Sequence, residues 1–119
     1  MRELSIGTKR FTRVLVLDEP GQGNACHEYR VEPSDNGYSS MVFADVHFQD
    51  GPVIENGVNG CHQEDLLAIV IDRLRSFQAG DFACRENALA LTKCEEALHW
   101  LNHRTNDRQT RGVEGTNVK

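Results

Sequence analysis

The feature that most constrains the fold is the last third of the chain, FACRENALALTKCEEALHWLNHRTNDRQTRGVEGT, running from Phe82 to Thr116. Leu91, Cys94, Leu98 and Leu101 recur there at spacings of three and four, the period at which one helix face meets a partner. Arg104, Arg108 and Arg111 continue at the same spacings and would line one side of the final turns. Gly112 ends the pattern, and a Gly-x-x-Gly-Thr tail follows. The apolar stripe demands something to pack on. The arginines admit two readings: guanidinium groups that grip phosphate in bidentate fashion, or a solvated face in which Asp107 pairs with Arg111 at i,i+4.

The partner for the stripe lies just upstream. From Gln63 to Gln78 the chain predicts a helix in which Leu66, Val70, Leu74 and Phe77 form one stripe, with Leu67 and Ile71 beside it. Glu64 and Asp65 suit the first turn, Gly80 supplies a stop, and Asp81 is placed to cap the next helix. So short a connection forces an antiparallel helical hairpin.

Before the helices the period drops to two. Phe11–Leu17, Cys26–Val31 and Ser39–Phe48 read as strands, separated by turn residues over Asp18–Gly23 and Glu32–Gly37. Residues 1 to 8 carry no pattern and are expected to be a loose start. Gln49–Pro52 ends the third strand, and Glu55–Gly60 holds two Asn-Gly pairs. That loop is either a connector of defined shape or a means of bringing backbone amides to a ligand. The expected fold class is therefore α+β: a small N-terminal antiparallel sheet of three to four strands, then a C-terminal antiparallel helical hairpin. We expect one domain over 1–119, with a β-region at 1–60 and the hairpin with a short tail at 61–119.

Charge narrows the partners. A net charge of -5 argues against DNA, which attracts a basic field, yet Arg104, Arg108, Arg111 and Lys119 outweigh Asp107 and Glu114 at the C-terminal end. A compact anion fits that distribution better than a long polyanion. No apolar run approaches the ~20 residues that cross a bilayer, so no membrane partner and a cytoplasmic location are expected. Cys26, Cys61, Cys84 and Cys94 are expected to be reduced and to act as small apolar residues. Cys26-His27, Cys61-His62 and His99/His103 lack C-x-x-C or H-E-x-x-H spacing, so no metal or other cofactor is expected.

Catalytic signatures are missing too: there is no G-x-S-x-G and no P-loop, and we assign no catalytic residue. Asp72, Glu95, Glu96 and His99 on facing helices could hold magnesium, as in nucleotide pyrophosphohydrolases. The same carboxylates can also be the surface pairs Glu96–Lys93 and Glu95–His99. A metal-dependent enzyme of that kind is one alternative, and a helical protein-binding adaptor is another.

Ligand groups sit at both ends of the hairpin. Phe77 closes the first helix, while Arg85 and Asn87 open the second. Together they could stack on a purine, read its edge and hold a phosphate, or be ordinary core and surface. Arg104 lies 19 residues beyond Arg85, roughly 28 Å along a helix. One protomer could not wrap both ends around a small ligand, whereas a symmetric oligomer could.

The segments GVNG, DLLAIVIDRL, FQAGDFACRENALALTKCEEALHWL and RTNDRQTRGVEGT, in this order from about Asn56 to Thr116, resemble the phage anti-Thoeris sponge family. That family shares a helical hairpin with the phage anti-CBASS sponge proteins. The resemblance implies a non-enzymatic decoy, acting in the cytoplasm of an infected bacterial host. Such proteins assemble from dimers into a homohexamer and sequester cyclic ADP-ribose-type signals, chiefly glycocyclic ADP-ribose. Some members also bind cyclic di- or trinucleotides at separate sites. Carried onto this chain, the ligand-binding positions would be Phe77, Asn87, Arg104, Arg108 and Thr116, with Arg85 at the cyclic oligonucleotide site. Arg30 is the candidate counterpart among the β-region arginines.

Overall fold

The computed structural model describes residues 1–7, 10–34 and 41–119. The fold is α+β, as the patterning predicts, and divides into two compact units, Met1–Cys61 and His62–Lys119.

In the first unit, β1 (Arg2–Glu3), β2 (Thr12–Val16), β3 (Glu28–Pro33) and β4 (Ala44–His47) form an antiparallel meander in sequence order. Register sets Val14 against Val31 and Val16 against Tyr29, with Val46 next to Tyr29 on the same face. Val16 is fully buried, and Tyr29 meets Phe48 edge to face with centroids 5.6 Å apart. The opposite face carries charge in cross-strand pairs. Arg13 donates to Glu32 (2.7 Å), Arg30 donates to Asp45 (2.7 Å), and His47 pairs with Glu28.

Three of the strands depart from the sequence pattern. β1 lies in the segment read as a loose start. Two residues are too few to show a period, yet the open edge of β2 recruits them, and the Leu4 amide donates to the Val14 carbonyl (2.9 Å). β3 continues through Glu32 and Pro33, which turn chemistry assigned to a turn. Buried Glu32 is held by Arg13, and Pro33 sits past the end of the β4 ladder, where its missing N–H costs nothing. The rest of that turn, Asp35–Gly37, lies outside the described residues. β4 begins at Ala44; Ser39 and Ser40 of the expected strand also lie outside them, and Met41–Phe43 are exposed.

The β2–β3 connection is fastened by Asp18. Its carboxylate accepts the backbone N–H groups of His27 (2.9 Å) and Glu28 (3.1 Å), and the first of these bonds leads in holding its pKa below the ordinary 3.8. The buried His27 ring lies between Asp18 (4.0 Å) and Asp50 (3.7 Å).

After β4 the Asn-Gly segment has a defined shape. A single helical turn, α1 (Val53–Asn56), replaces part of the expected loop and is stopped by Gly57 at φ 71°. Gln49 and Asn59 then lock the return. The Asn59 amide donates to the Gln49 side chain (2.9 Å), and the Asp50 amide to the Asn59 side chain (2.8 Å). Gly60 passes so close to β4 that a Cβ there would lie 2.4 Å from the Phe48 carbonyl carbon. These contacts consume two of the amides that a ligand could otherwise have used.

The second unit is the predicted hairpin of α2 (Gln63–Gln78) and α3 (Arg85–Thr110). The less exposed positions recur at three and four: Glu64, Leu67, Ile71, Leu74 and Gln78 on α2, with Leu66 beside them, and Asn87, Leu91, Cys94, Leu98, Leu101, Thr105 and Arg108 on α3, with Glu95 beside them. Ile71 is 4% exposed, and Arg75 reaches across to Glu95 (2.7 Å). The stripe expected on α3 is the one that packs. On α2 the seam uses Leu67 and Ile71, while Val70 (43% exposed) and Phe77 (37%) face elsewhere. The expected wide face is thus split: Leu66, Leu67 and Leu74 are half-buried beside Ile71, and the position of α3 leaves Val70 and Phe77 outside. Among the described residues, no helix is long and apolar enough to cross a membrane.

The α3 start also differs from expectation. Cys84, not Asp81, is the N-cap: its Sγ accepts the Asn87 amide (3.4 Å), and Gln78 Oε1 accepts the Cys84 amide (3.0 Å). The Ala79 and Gly80 amides turn back to α2 carbonyls, which leaves Asp81 and Phe82 in the turn. At the other end, the Asp65 carboxylate accepts the His62 amide (2.8 Å) and closes the α2 N-terminus.

Two stability measurements follow from these contacts. Ile71→Ala removes the most buried side chain of the seam and is expected to cost about 2–4 kcal/mol in chemical denaturation, with a broader loss of helicity on heating. Asp18→Asn should destabilise at neutral pH, where the wild-type carboxylate is ionised and bonded. Because the folded pKa is depressed, the wild-type advantage is full above about pH 4 and fades as pH falls through the folded value. A wild-type-to-mutant gap that stays constant from pH 7 to pH 2 would show that ionisation of Asp18 is not the source.

Candidate ligand-binding site

The sequence-predicted residues fall at the two ends of the hairpin. At the turn end, Phe77 stands on the last turn of α2 with one face covered by Arg73, whose Cζ is 5.4 Å from the ring centroid. Asn87 is half-buried on the seam, and its backbone amide serves the Cys84 cap. Arg85 is the first helical residue of α3 and is exposed. Phe82, 76% exposed in the turn, adds a second aromatic surface that helical spacing does not single out, because the pattern places it inside α3. The i,i+4 spacing of Arg73 and Phe77 would have revealed the cation–π pair.

At the far end the three arginines do not form one row. Arg104 is exposed and has no hydrogen-bond or ion-pair partner among the described residues. Arg111 is held by Asp107 (3.1 Å) and by the Lys119 carbonyl (2.9 Å). Arg108 is turned inward and is 6% exposed. Its guanidinium donates to the carbonyls of Val118 (2.5 Å), Val113 (2.9 Å) and Thr116 (3.2 Å), and Glu114 lies 3.5 Å from Nε. Spacing predicts three similar groups, but the tail folds back, buries Arg108 and also reaches Arg111 through the Lys119 carbonyl.

The tail can fold back because α3 ends in a Schellman motif. The Val113 amide donates to the Arg108 carbonyl and the Gly112 amide to that of Gln109, each at 3.0 Å, with Gly112 at φ 74°. Thr116 is half-buried: its hydroxyl donates to the Val113 carbonyl and accepts the Val118 amide (3.2 Å).

Between the two ends, a groove of about 400 Å³ runs along one side of the seam, lined by Asp72, Arg75, Glu95 and His99 among others. This is where the magnesium alternative placed its carboxylates. Glu95 is committed to Arg75 (2.7 Å), and Glu96 pairs with Lys93 (3.7 Å). Among the described residues, His, Cys, Asp and Glu form no group of three or more that could hold a metal ion. Trp100, 65% exposed on α3, touches His99 and His103 edge-on with centroids 5.4 and 5.8 Å away.

The two-helix unit has known relatives. Residues 42–106 match the family described as "Acb2/Tad1, hairpin domain". The chain belongs to this family. Over 76 residues it is 62% identical to "Thoeris anti-defense 1" of Bacillus phage SBSphiJ7. That alignment covers 64% of the chain and 54% of the relative, so the match spans about half the length of the phage protein. The Acb2/Tad1 hairpin match takes in Phe77, Arg85, Asn87 and Arg104 and stops before Arg108 and Thr116.

The tail geometry generates its own test. Gly112 has open space where a Cβ would point, so Gly112→Ala meets no clash and suffers only the left-handed backbone cost. It is expected to lower stability by about 1 kcal/mol and to speed amide exchange in the tail, while exchange in the middle of α2 stays unchanged.

Proposed function

We propose that this chain is a phage anti-defence sponge that binds and sequesters cyclic ADP-ribose-type immune signals, glycocyclic ADP-ribose first among them, without cleaving them. The observation that carries this reading is the 62% identity to a phage protein named for anti-defence against Thoeris. The hairpin supplies suitable chemistry at each end. Phe77 and Phe82 offer aromatic faces for an adenine, and Asn87 lies in the first turn of α3 at the same end of the hairpin. Arg104 offers an exposed guanidinium for a phosphate. Thr116 and its neighbours bring backbone and hydroxyl groups near that guanidinium's helix end. Arg85, at the opposite end, would serve a separate site for cyclic di- or trinucleotides.

The two ends belong to different subunits in this proposal. Asn87 and Arg104 lie 17 residues apart on one straight helix, roughly 26 Å. A cyclic ADP-ribose, with one base, two riboses and two phosphates closed into a compact ring, cannot touch both within a protomer. In a homo-oligomer built from dimers, the turn of one hairpin can meet the arginine end of another. Ile69, Val70 and Trp100, exposed at 58%, 43% and 65%, give such an assembly apolar surface to bury. A sponge needs affinity and stoichiometry alone, and acts inside the infected cell by holding free signal below its receptor's threshold.

Calorimetry with glycocyclic ADP-ribose, followed by recovery of the ligand after denaturing the protein, tests both halves of the reading. Tight binding and intact recovered ligand are expected. A cleaved product would favour the pyrophosphohydrolase alternative, and no affinity for any cyclic nucleotide would leave the adaptor. Arg104→Ala is expected to weaken binding at least a hundredfold while light scattering reports an unchanged oligomer. Dissociation of the mutant would instead make Arg104 an interface residue.

A further inference from the structure

We infer that Arg108 is a tail-positioning residue, which holds residues 113–118 on one course and reaches a bound ligand only through that tail. The effect on ligand rests on the sponge reading; the hold on the tail does not. A guanidinium carries its N–H donors around the edge of one plane, and bidentate phosphate binding needs one free edge of that plane. In Arg108, Nη1 donates to Val118 (2.5 Å) and Nη2 to both Val113 (2.9 Å) and Thr116 (3.2 Å). Nε faces Glu114 at 3.5 Å, and the side chain is 7% exposed. No edge is left for an incoming phosphate.

The same residue grips Val113 twice. The Arg108 carbonyl accepts the Val113 amide (3.0 Å), and its guanidinium donates to the Val113 carbonyl (2.9 Å). That carbonyl also accepts the Thr116 amide (3.1 Å) and the Thr116 hydroxyl, so Arg108, Val113 and Thr116 form one hydrogen-bonded unit. The Glu114 Oε2 atom is buried without a hydrogen-bond partner, and the guanidinium is the cation beside it. Without Arg108, the Val118 and Thr116 carbonyls lose this donor, the Val113 carbonyl keeps only the bonds from Thr116, and the carboxylate loses its counter-charge. The tail would leave the helix, and Thr116 would leave with it. Arg104, exposed and unpaired among the described residues, is then the arginine of this helix end that meets the ligand directly.

Hydrogen exchange on the full chain without ligand tests the hold. Arg108→Ala is expected to speed exchange at the Val113, Thr116 and Val118 amides at least tenfold, and Arg104→Ala to leave them at the wild-type rate. Should the alanine variant lose α3 helicity by circular dichroism, Arg108→Lys takes its place. A single ammonium cannot span three carbonyls, so the same acceleration is expected. Unchanged tail exchange would overturn the inference whatever the ligand does. Titration with glycocyclic ADP-ribose then separates positioning from contact in a cycle of Arg108→Ala (or Arg108→Lys) and Gly112→Val, which unseats the tail independently. If Arg108 acts through the tail, the double variant binds no more weakly than the weaker single variant. Losses that multiply would place Arg108 on the ligand and overturn the inference. A wild-type protein that binds none of the ligand sinks the sponge reading, while the exchange measurement still decides the role of Arg108.

Discussion

The helical unit depends on one seam, at which Ile71, Leu67 and Leu74 of α2 meet Leu91, Cys94, Leu98 and Leu101 of α3. Two helices bury only the strip between them, so this seam must orient everything the hairpin carries. Its spacing at three and four lays α2 and α3 against each other in opposite directions, and the Arg75–Glu95 pair marks the register at its edge. Once the register is set, Phe77 is held at the turn and Arg104 at the far end. The separation of the two is a consequence of packing. The same economy leaves Val70, Phe77 and Trp100 on the outside.

The C-terminal end shows how the backbone can redistribute like side chains. Arg104, Arg108 and Arg111 enter the last turns as apparent equals. Gly112 then lets the chain reverse, and the reversal brings carbonyls to Arg108 and to Arg111. A buried guanidinium must be satisfied by hydrogen bonds, and the nearest acceptors are those of the tail. One arginine therefore becomes structural, one is shared with Asp107, and one remains available.

In the β-unit, polar side chains replace a large core. The charged face of the sheet is organised by cross-strand pairs, and the connections are tied by Asp18, Gln49 and Asn59 through backbone amides. Arg30 illustrates the cost of such bookkeeping for a ligand site: bonded through two nitrogens to Asp45, with its pKa raised further by that carboxylate, it would have to leave Asp45 to meet a phosphate.

Local patterning determined a good deal by itself. The bounds of α2, the inward stripe of α3, the stop at Gly112 and the order of sheet before hairpin are all written in spacings of two, three and four, because those periods follow from backbone geometry alone. Other features needed a partner in space. Which positions of the wide α2 face pack depended on where α3 lies: Leu67, Ile71 and Leu74 meet it, while Val70 and Phe77 stay outside. The strand at Arg2–Glu3 exists only because β2 presents an open edge. Cys84 outcompeted Asp81 as the α3 cap because Gln78 satisfied its amide from the preceding helix. Arg108 differs from Arg104 for the same kind of reason: spacing places both on α3, but only the folded tail puts carbonyl oxygens around one and solvent around the other.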